Sequence, residues 1–238
     1  MPSAEAIVLV SGGLDSAVLL AHEAEGRPVL PVYVGVGLAW EDAERAVLTR
    51  LLETPPFASA LPLARLEFGM RDVYPPTHWA IQGTPPAYDT PDEDVYLTGR
   101  NLVLLTKAGV MAAASGARRI VLGPLAGNPF PDARPAFFSA MSAALSLGLD
   151  HAVEVVAPFL DWQKESVIAR GVALGVPLDL TLSCMSPRPP GDGGRPGDGL
   201  PRHCGLCSKC RERRDAFAAA GVPDPTSYAS PSPRGARS

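Results

Sequence analysis

A glycine turn near the N-terminus constrains the fold of this chain more than any other stretch. The apolar run at residues 7–10 predicts a buried β-strand, which ends at a hydroxyl and two glycines. Aliphatic residues recur from 17 to 21, as is typical of a helix. Glycines let the backbone approach a ligand, and a helix N-terminus leaves N–H groups unpaired. The predicted phosphate-binding residues are Val10, Ser11, Gly12, Gly13, Leu14, Asp15 and Ser16.

The turn has the sequence SGGLDS, which matches neither of the two commonest nucleotide-binding motifs. The Walker motif would need Gly-Lys-Ser/Thr after four intervening residues, and the dinucleotide motif would need Gly-x-Gly-x-x-Gly. The simpler alternative is an ordinary βα turn in which Asp15 or Ser16 caps the helix. We favour phosphate binding because the complete hexapeptide directly follows the first predicted strand.

Strand and helix patterns alternate along most of the chain, which predicts an α/β fold with a doubly wound, mostly parallel, Rossmann-like sheet. Further strand patterns lie at residues 29–36, 61–68, 119–123 and 152–158, and helical patterns lie at 41–53, 102–114, 136–147 and 163–174. The proline-rich segment 70–95 interrupts this alternation, so it is either a lid over the site or a flexible insertion.

The four cysteines lie between residues 184 and 210, with the spacing C-x19-C-x2-C-x2-C. Four thiolates complete a tetrahedral zinc site, which predicts a structural Zn²⁺ held by Cys184, Cys204, Cys207 and Cys210. An iron–sulfur cluster and four free buried thiols are the alternatives. Ten of the nineteen residues between the first two cysteines are Gly or Pro, which predicts a loop tied at both ends.

These patterns divide the 238 residues into an α/β domain at 1–183, a metal-binding helical and loop subdomain at 184–228 and a disordered tail at 229–238. None of the four histidines has metal-ligand spacing, and His203 is expected at the surface. The net charge of −4 argues against a protein that coats nucleic acid. Because the sequence shows neither a bilayer-spanning apolar run nor a signal-peptide pattern, we expect a cytoplasmic protein without a membrane partner.

Four stretches resemble, in order, the 7-cyano-7-deazaguanine synthases, a family within the ATP pyrophosphatase-loop superfamily. They are SGGLDS at 11–16, Thr98-Gly99-Arg100-Asn101, Phe130-Pro131-Asp132-Ala133-Arg134-Pro135, and the residues from Lys164 to the cysteines and Arg211. Each stretch is moderately specific, whereas the ordered set covers most of residues 5–228. The chain is identified as a divergent member of that family, and the resemblance implies an adenine nucleotide α-hydrolase-like fold.

The resemblance implies an ATP-dependent ligase that converts 7-carboxy-7-deazaguanine and ammonia into 7-cyano-7-deazaguanine during queuosine biosynthesis. The carboxylate is adenylated, ammonia displaces AMP to give an amide, and a second activation gives the nitrile. ATP, Mg²⁺ and Zn²⁺ are implied as cofactors, a homodimer is the implied assembly, and no stably bound nucleic acid is expected. The implied catalytic residues are Asp15, Ser16, Arg100 and Lys164, and the implied substrate-binding residues are Arg100, Asn101, Asp132 and Arg134.

Several positions depart from the family pattern where the substrate is expected. The family's Gln-Arg-His-like element is replaced by Gly37-Leu38-Ala39-Trp40, its loop cysteine is Ala133, and the loop at 126–129 lacks the usual tyrosine. Two other functions therefore stay open. One is a pyrophosphatase-loop enzyme that amidates another acceptor or modifies tRNA. The other is a non-enzymatic zinc-ribbon RNA-binding or scaffold protein.

Overall fold

A computed structural model describes residues 4–190 and 199–233. Its centre is a sheet of five parallel strands: β1 Ala6–Leu9, β2 Val29–Gly35, β3 Ala64–Glu67, β4 Arg119–Val121 and β5 Glu154–Val156. Both β1 and β2 are buried throughout, as expected for strands that are covered on both faces. The sequence predicted these strands correctly, although the patterns at 61–68 and 152–158 extend beyond the paired residues.

The strand order β3-β2-β1-β4-β5 is that of a doubly wound sheet. The chain proceeds outwards from β1 to β3 and then returns to the other side of β1, where β4 begins. In open α/β sheets, ligands bind beside the carboxyl ends of the strands at the point where the order reverses. Here that point lies between β1 and β4, which pair with Ile7 opposite Ile120. The chain after β1 and the chain after β4 therefore share one crevice.

Helices cover both faces of the sheet: α1 Leu14–Ala24, α2 Glu41–Leu52, α3 Trp79–Gln82, α4 Arg100–Ser115, α5 Pro135–Leu149, α6 Lys164–Ala173 and α7 Ser208–Ala220. On β1, Ala6 and Val8 face an apolar cluster with α1, α6 and α7, whereas Ile7 and Leu9 face a cluster with α4 and α5. This alternation along the strand divides the core into two layers. None of the described helices is long and apolar enough to cross a membrane.

The proline-rich segment 70–95 is packed against the α/β core. The Tyr74 side chain is buried, and its hydroxyl donates a hydrogen bond to the Thr98 carbonyl at 2.9 Å. The indole of Trp79 in α3 stacks on that of Trp40, with 5.8 Å between ring centroids. Of the two alternatives that the sequence leaves open, the structure supports a packed cover and not a flexible insertion.

The C-terminal part is joined to the α/β part by apolar packing. All four cysteines lie in the apolar cluster that contains α4 and α5, and α7 packs on α6. The loop between Cys184 and Cys204 is described only near its ends, where Arg188 and Arg202 form an antiparallel bridge. The predicted metal-binding segment therefore shares its core with the preceding α/β residues.

The sequence predicts disorder at the C-terminus, but residues 229–233 lie against the fold. The N–H of Ala229 donates to the carbonyl of His203 at 2.8 Å, and the guanidinium of Arg214 donates to the carbonyl of Ser230 at 3.1 Å. These hydrogen bonds correct the prediction for this stretch. The rest of the predicted tail lies outside the described residues.

Candidate active site

The predicted phosphate loop lies in the crevice between β1 and β4, immediately after β1. Gly12 has a φ of +77°, which disfavours residues with a side chain, and a Cβ there would lie 3.1 Å from the carbonyl oxygen of Glu44. The Gly12 carbonyl accepts a hydrogen bond of 2.8 Å from the Leu182 N–H. Glycine therefore lets the chain turn sharply at a point where α2 leaves little room for a side chain.

Two serine hydroxyls hold the loop in shape. The Ser16 hydroxyl donates to the Gly13 carbonyl at 3.0 Å and accepts from the Ser11 N–H at 3.2 Å. The Ser11 hydroxyl accepts from the Gly13 N–H at 3.3 Å. The Ala17 N–H bonds to the Gly13 carbonyl, whereas the N–H groups of residues 14–16 donate to no described residue. The loop is thus preformed and keeps free donors, as a phosphate site requires.

Four charged side chains form a chain of ion pairs from the loop to α7. Asp15 accepts a hydrogen bond of 2.6 Å from the ammonium of Lys164, which also donates to Glu212 at 2.8 Å. The other carboxylate oxygen of Glu212 accepts from Lys209 at 2.6 Å. The Oδ1 atom of Asp15 is buried and has no hydrogen-bond partner among the described residues. The loop carboxylate therefore keeps one free acceptor.

The ion pairs keep Lys164 and Glu212, the two central residues of this network, charged. Burial lowers the pKa of Lys164, but the carboxylates of Asp15 and Glu212 outweigh burial and raise that pKa above its ordinary value. Burial raises the pKa of Glu212, but Lys164 and Lys209 outweigh burial and hold that pKa well below its ordinary value. Lys164 and Glu212 are therefore both ionised at neutral pH.

The loop forms one wall of a cavity of about 350 Å³, a volume suited to a small ligand. The predicted residues Arg100, Asn101, Asp132 and Lys164 also line this cavity. The rest of the wall includes apolar and aromatic residues that follow β4 or belong to the chain before α4: Trp79, Val95, Tyr96, Leu97, Leu122, Pro124 and Phe130. Polar residues that are distant in sequence are thus brought together above a largely apolar floor.

Arg100 and Asp132 present unpaired atoms in this cavity. The Nε of Arg100 is buried and has no hydrogen-bond partner among the described residues. One oxygen of Asp132 accepts from the Asn101 N–H at 3.2 Å, whereas its Oδ1 is buried without a partner. Burial raises the pKa of Asp132, against the lowering effect of the hydrogen bond from Asn101. A guanidinium and a carboxyl group with free atoms suit a ligand that carries an acid group and N–H donors.

Arg134 lies outside this arrangement. Its side chain is exposed at the N-terminus of α5, and it is not among the cavity-lining residues. The carboxylate and the backbone carbonyl of Asp132 both accept hydrogen bonds from Asn101. Because α5 starts at Pro135, the Arg134 side chain lies at the surface, and its substrate contact stays a prediction.

Glu44 is a cavity residue that the sequence did not single out. It lies on α2, is buried, and accepts a hydrogen bond of 3.0 Å from the Tyr33 hydroxyl. Burial raises the pKa of Glu44 to about 7, although Arg100 acts to lower it. The cavity therefore contains a carboxyl group that changes its protonation state near neutral pH. An acidic residue in an amphipathic helix gives no sequence signal for such burial.

The four cysteines form one compact, buried cluster. Their sulfur atoms all lie within 4.8 Å of one another, and three of the separations are 3.5 Å for Cys207–Cys210, 3.9 Å for Cys204–Cys210 and 4.0 Å for Cys184–Cys207. A tetrahedral ion with Zn–S bonds of about 2.3 Å holds its sulfurs about 3.8 Å apart. These separations are too long for disulfides and fit four ligands of one metal ion.

Backbone donors also point at this cluster. The Cys204 N–H lies 3.2 Å from the sulfur of Cys184, and the Ser186 N–H lies 3.3 Å from the same sulfur. The Leu206 N–H donates to the sulfur of Cys204 at 3.3 Å. Such hydrogen bonds stabilise thiolates and orient them as ligands. The donor set therefore suits a soft metal ion in a closed site.

Arg213 fastens α7 to the segment that precedes the first cysteine. Its guanidinium is buried and donates to the Leu178 carbonyl at 2.6 Å, to the Thr181 hydroxyl at 2.9 Å and to the Thr226 hydroxyl at 2.6 Å. The sequence shows only a basic helix here and does not distinguish Arg213 from its basic neighbours. This arginine links the cysteine cluster to the segment that bonds to the phosphate loop.

His203 is buried, which corrects the expectation that it lies at the surface. Its Nε2 accepts a hydrogen bond of 3.0 Å from the Ser183 N–H. Burial and, after it, the charge of Arg213 lower the pKa of His203 well below 6.5. The imidazole is therefore a neutral structural acceptor next to the cysteine cluster.

Fold and site together define an α/β protein with a preformed phosphate loop at the switch point of a parallel sheet and a four-cysteine cluster beside it. Residues 81–221 match the family model described as queuosine biosynthesis protein QueC. The 7-cyano-7-deazaguanine synthase of Azoarcus sp. (strain BH72) is 35% identical over 94% of this chain and 96% of its own length. That of Caldicellulosiruptor bescii is 32% identical over the same shares. The chain therefore belongs to the family of the queuosine biosynthesis protein QueC.

A solved structure gives a weaker likeness. The phosphoadenylyl-sulfate reductase from Candida auris covers 74% of this chain and 75% of its own, with 13% identity and a TM-score of 0.38. We draw no conclusion from this low similarity. The fold assignment rests on the strand order and on the family match.

Proposed function

We propose that this protein is an ATP-dependent C–N ligase that converts 7-carboxy-7-deazaguanine and ammonia into 7-cyano-7-deazaguanine. The observation that carries the proposal is 35% identity, over 94% of the chain, to a protein named for making that product. The preformed phosphate loop beside a cavity supports it separately, because adenylation requires a triphosphate held next to a carboxylate.

In the proposed reaction, the free N–H groups of residues 14–16 bind the phosphates of ATP, and the α-phosphorus faces the substrate carboxylate. Lys164 stabilises the charge that develops on the departing pyrophosphate. Arg100 binds the substrate carboxylate, while Asn101 and Asp132 contact the ring. Ammonia attacks the acyl adenylate and AMP leaves with the carboxylate oxygen. Adenylation of the amide oxygen and loss of a second AMP then give the nitrile.

Two metal ions accompany this proposal. The four thiols suit Zn²⁺, and because four protein ligands leave no open position, that ion would hold the fold and take no part in the chemistry. Mg²⁺ that arrives with ATP would neutralise the pyrophosphate, and Asp15 offers the unpaired Oδ1 on that side of the cavity.

The alternative enzyme, which transfers sulfur to tRNA, is less well supported. All four cysteines of the chain lie in the one buried cluster, so none is left as a sulfur carrier. A non-enzymatic scaffold would not need a preformed loop with free N–H donors. The ligase therefore explains more of the described features than either alternative.

The test is an incubation with ATP, Mg²⁺, ammonium and 7-carboxy-7-deazaguanine, followed by quantification of AMP and by mass spectrometry of the product. We expect AMP formation that depends on the acid, together with the nitrile. The Asp15→Ala variant should lose turnover by at least about a hundredfold, whereas Asp161→Ala, at an exposed carboxylate, should not. A wild-type protein that forms no acid-dependent AMP would reject the proposal.

A further inference from the structure

Helix α7 contributes charged side chains to the cavity as well as a ligand to the cysteine cluster. It begins directly after Cys207 and includes Cys210 in its first turn. Between and beyond these cysteines, Lys209 and Glu212 line the same cavity as the phosphate loop. The fixed start of the helix therefore sets the position of two charges that the proposed reaction has not used.

Glu212 holds two ammonium groups at the phosphate side of the cavity. Lys164, bonded to Asp15 of the loop, donates to one oxygen of Glu212 at 2.8 Å, and Lys209 donates to the other at 2.6 Å. Lys209 also lies 3.6 Å from the half-exposed carboxylate of Asp92. All of these contacts lie within one continuous network, so a ligand anion that reaches Lys164 also approaches Lys209.

The network contains more negative than positive charge. Asp15, Glu212 and Asp92 supply three carboxylates for the two ammonium groups of Lys164 and Lys209. A bound polyphosphate adds further negative charge next to Glu212, and like charges at this distance repel. Glu212 therefore occupies the place of an anion and competes with a phosphate group for both lysines.

We propose that Lys209 is a phosphate-binding residue that leaves Glu212 when a nucleoside triphosphate enters, and that Glu212 limits the affinity by competing with phosphate for both lysines. This inference rests on the proposed use of ATP. A purely structural role is the competing explanation, since Lys209 and Glu212 are three residues apart on one helix, where such a pair also stabilises the helix itself.

The experiment measures binding of α,β-methylene-ATP with Mg²⁺ by isothermal titration calorimetry on the metal-loaded protein, with metal content checked for every variant. We expect Lys209→Gln to weaken binding about tenfold, the value of one charge-assisted hydrogen bond, and Lys209→Arg to restore most of it. Glu212→Gln should tighten binding about threefold because the competing charge is removed. Lys107→Gln, on α4 and outside the cavity lining, is the matched control.

An unchanged dissociation constant for Lys209→Gln, or weaker binding by Glu212→Gln, would overturn the inference. A Lys209→Gln variant with a lower metal content or a lower melting temperature that still binds the analogue like wild type would show the structural role. That result would also overturn the inference. The analogue needs no carboxylate substrate, so this result is independent of AMP formation. If the wild type forms AMP but Lys209→Gln binds the analogue as tightly as the wild type, only this inference is refuted. If the wild type forms no AMP but the variants show the expected changes in binding, only the ligase proposal is refuted.

Discussion

The phosphate loop and the four-cysteine cluster differ in the sequence separation between the residues that form them. The loop consists of six consecutive residues whose turn is closed by the hydroxyls of Ser11 and Ser16. The cluster joins Cys184 to residues 204–210, and its sulfurs lie close to one another and accept hydrogen bonds from a few N–H groups. The comparison teaches that the loop takes its shape from local hydrogen bonds and the core, whereas the cluster collects four thiols that could hold one metal ion.

The two regions meet through one segment of the chain. Leu182 donates to Gly12 of the loop, and Arg213 of α7 donates to the carbonyl of Leu178 and the hydroxyl of Thr181. Residues 178–182 therefore connect the loop to the helix that carries Cys210. The following predictions separate these two kinds of stability.

Loss of the metal should have the largest effect, and it should be confined to one region. Structural zinc contributes on the order of 10 kcal/mol in small domains, so chelation or Cys210→Ser should release α7. In hydrogen exchange, amides of α7 should lose protection while those of β1 and α1 retain it. Restored protection on adding Zn²⁺ is the control for chelation. If the amides of β1 lost as much protection as those of α7, the two regions would not differ in their dependence on the metal.

Arg213→Lys should break the connection between the regions. Lysine keeps the charge, but its single nitrogen cannot replace all three bonds to Leu178, Thr181 and Thr226, so we expect a loss of about 3–5 kcal/mol in the free energy of unfolding. Metal content should stay at wild-type level, while the affinity for an ATP analogue should fall. Arg211→Lys is the control, because among the described residues the Arg211 side chain donates one bond, to the Thr90 carbonyl. Unchanged nucleotide affinity would show that the loop does not depend on α7.

The locally encoded features are those that the sequence predicted well. The loop at residues 11–16 and the order of strands and helices follow from short-range patterns, and the cysteine spacing indicated the cluster. The family resemblance further placed Arg100 and Asp132, which line the cavity. Each of these features is encoded either by consecutive residues or by residues of one type at a recognisable spacing.

The features that were missed depend on tertiary packing. Glu44 and Arg213 are polar residues on helices whose sequences suggest exposure, and only neighbouring elements bury them. His203 is buried for the same reason, and Arg134 is exposed because a helix begins next to it. For residues 229–233 the prediction of disorder was wrong, since composition does not reveal a backbone bond such as that of Ala229.

The buried carboxyl group of Glu44, which lies next to the phosphate loop, should make the stability of the protein depend on pH. Its pKa is about 7 in the folded protein and about 4.5 when exposed, so the folded state binds the proton more tightly. The stabilisation is complete below pH 4.5 and is lost as the pH rises to 7, by up to about 3 kcal/mol. The neutral Glu44→Gln variant should lack this dependence. Urea unfolding of both proteins from pH 5.5 to 8 should show wild type losing stability relative to the variant, and parallel curves would contradict the prediction.

Gly12→Ala should have the smallest effect on stability, yet a clear effect on the site. Alanine at a φ of +77° costs about 1–2 kcal/mol, and its Cβ would lie 3.1 Å from the Glu44 carbonyl. Gly116→Ala is the matched control, because Gly116 has a φ of +76° with open space around it. Both positions have nearly the same φ, so any further loss in Gly12→Ala is attributed to the close approach of α2. We expect only Gly12→Ala to weaken binding of an ATP analogue in calorimetry. Equal affinities would mean that the loop tolerates displacement, and that its local hydrogen bonds do not fix the donors of residues 14–16.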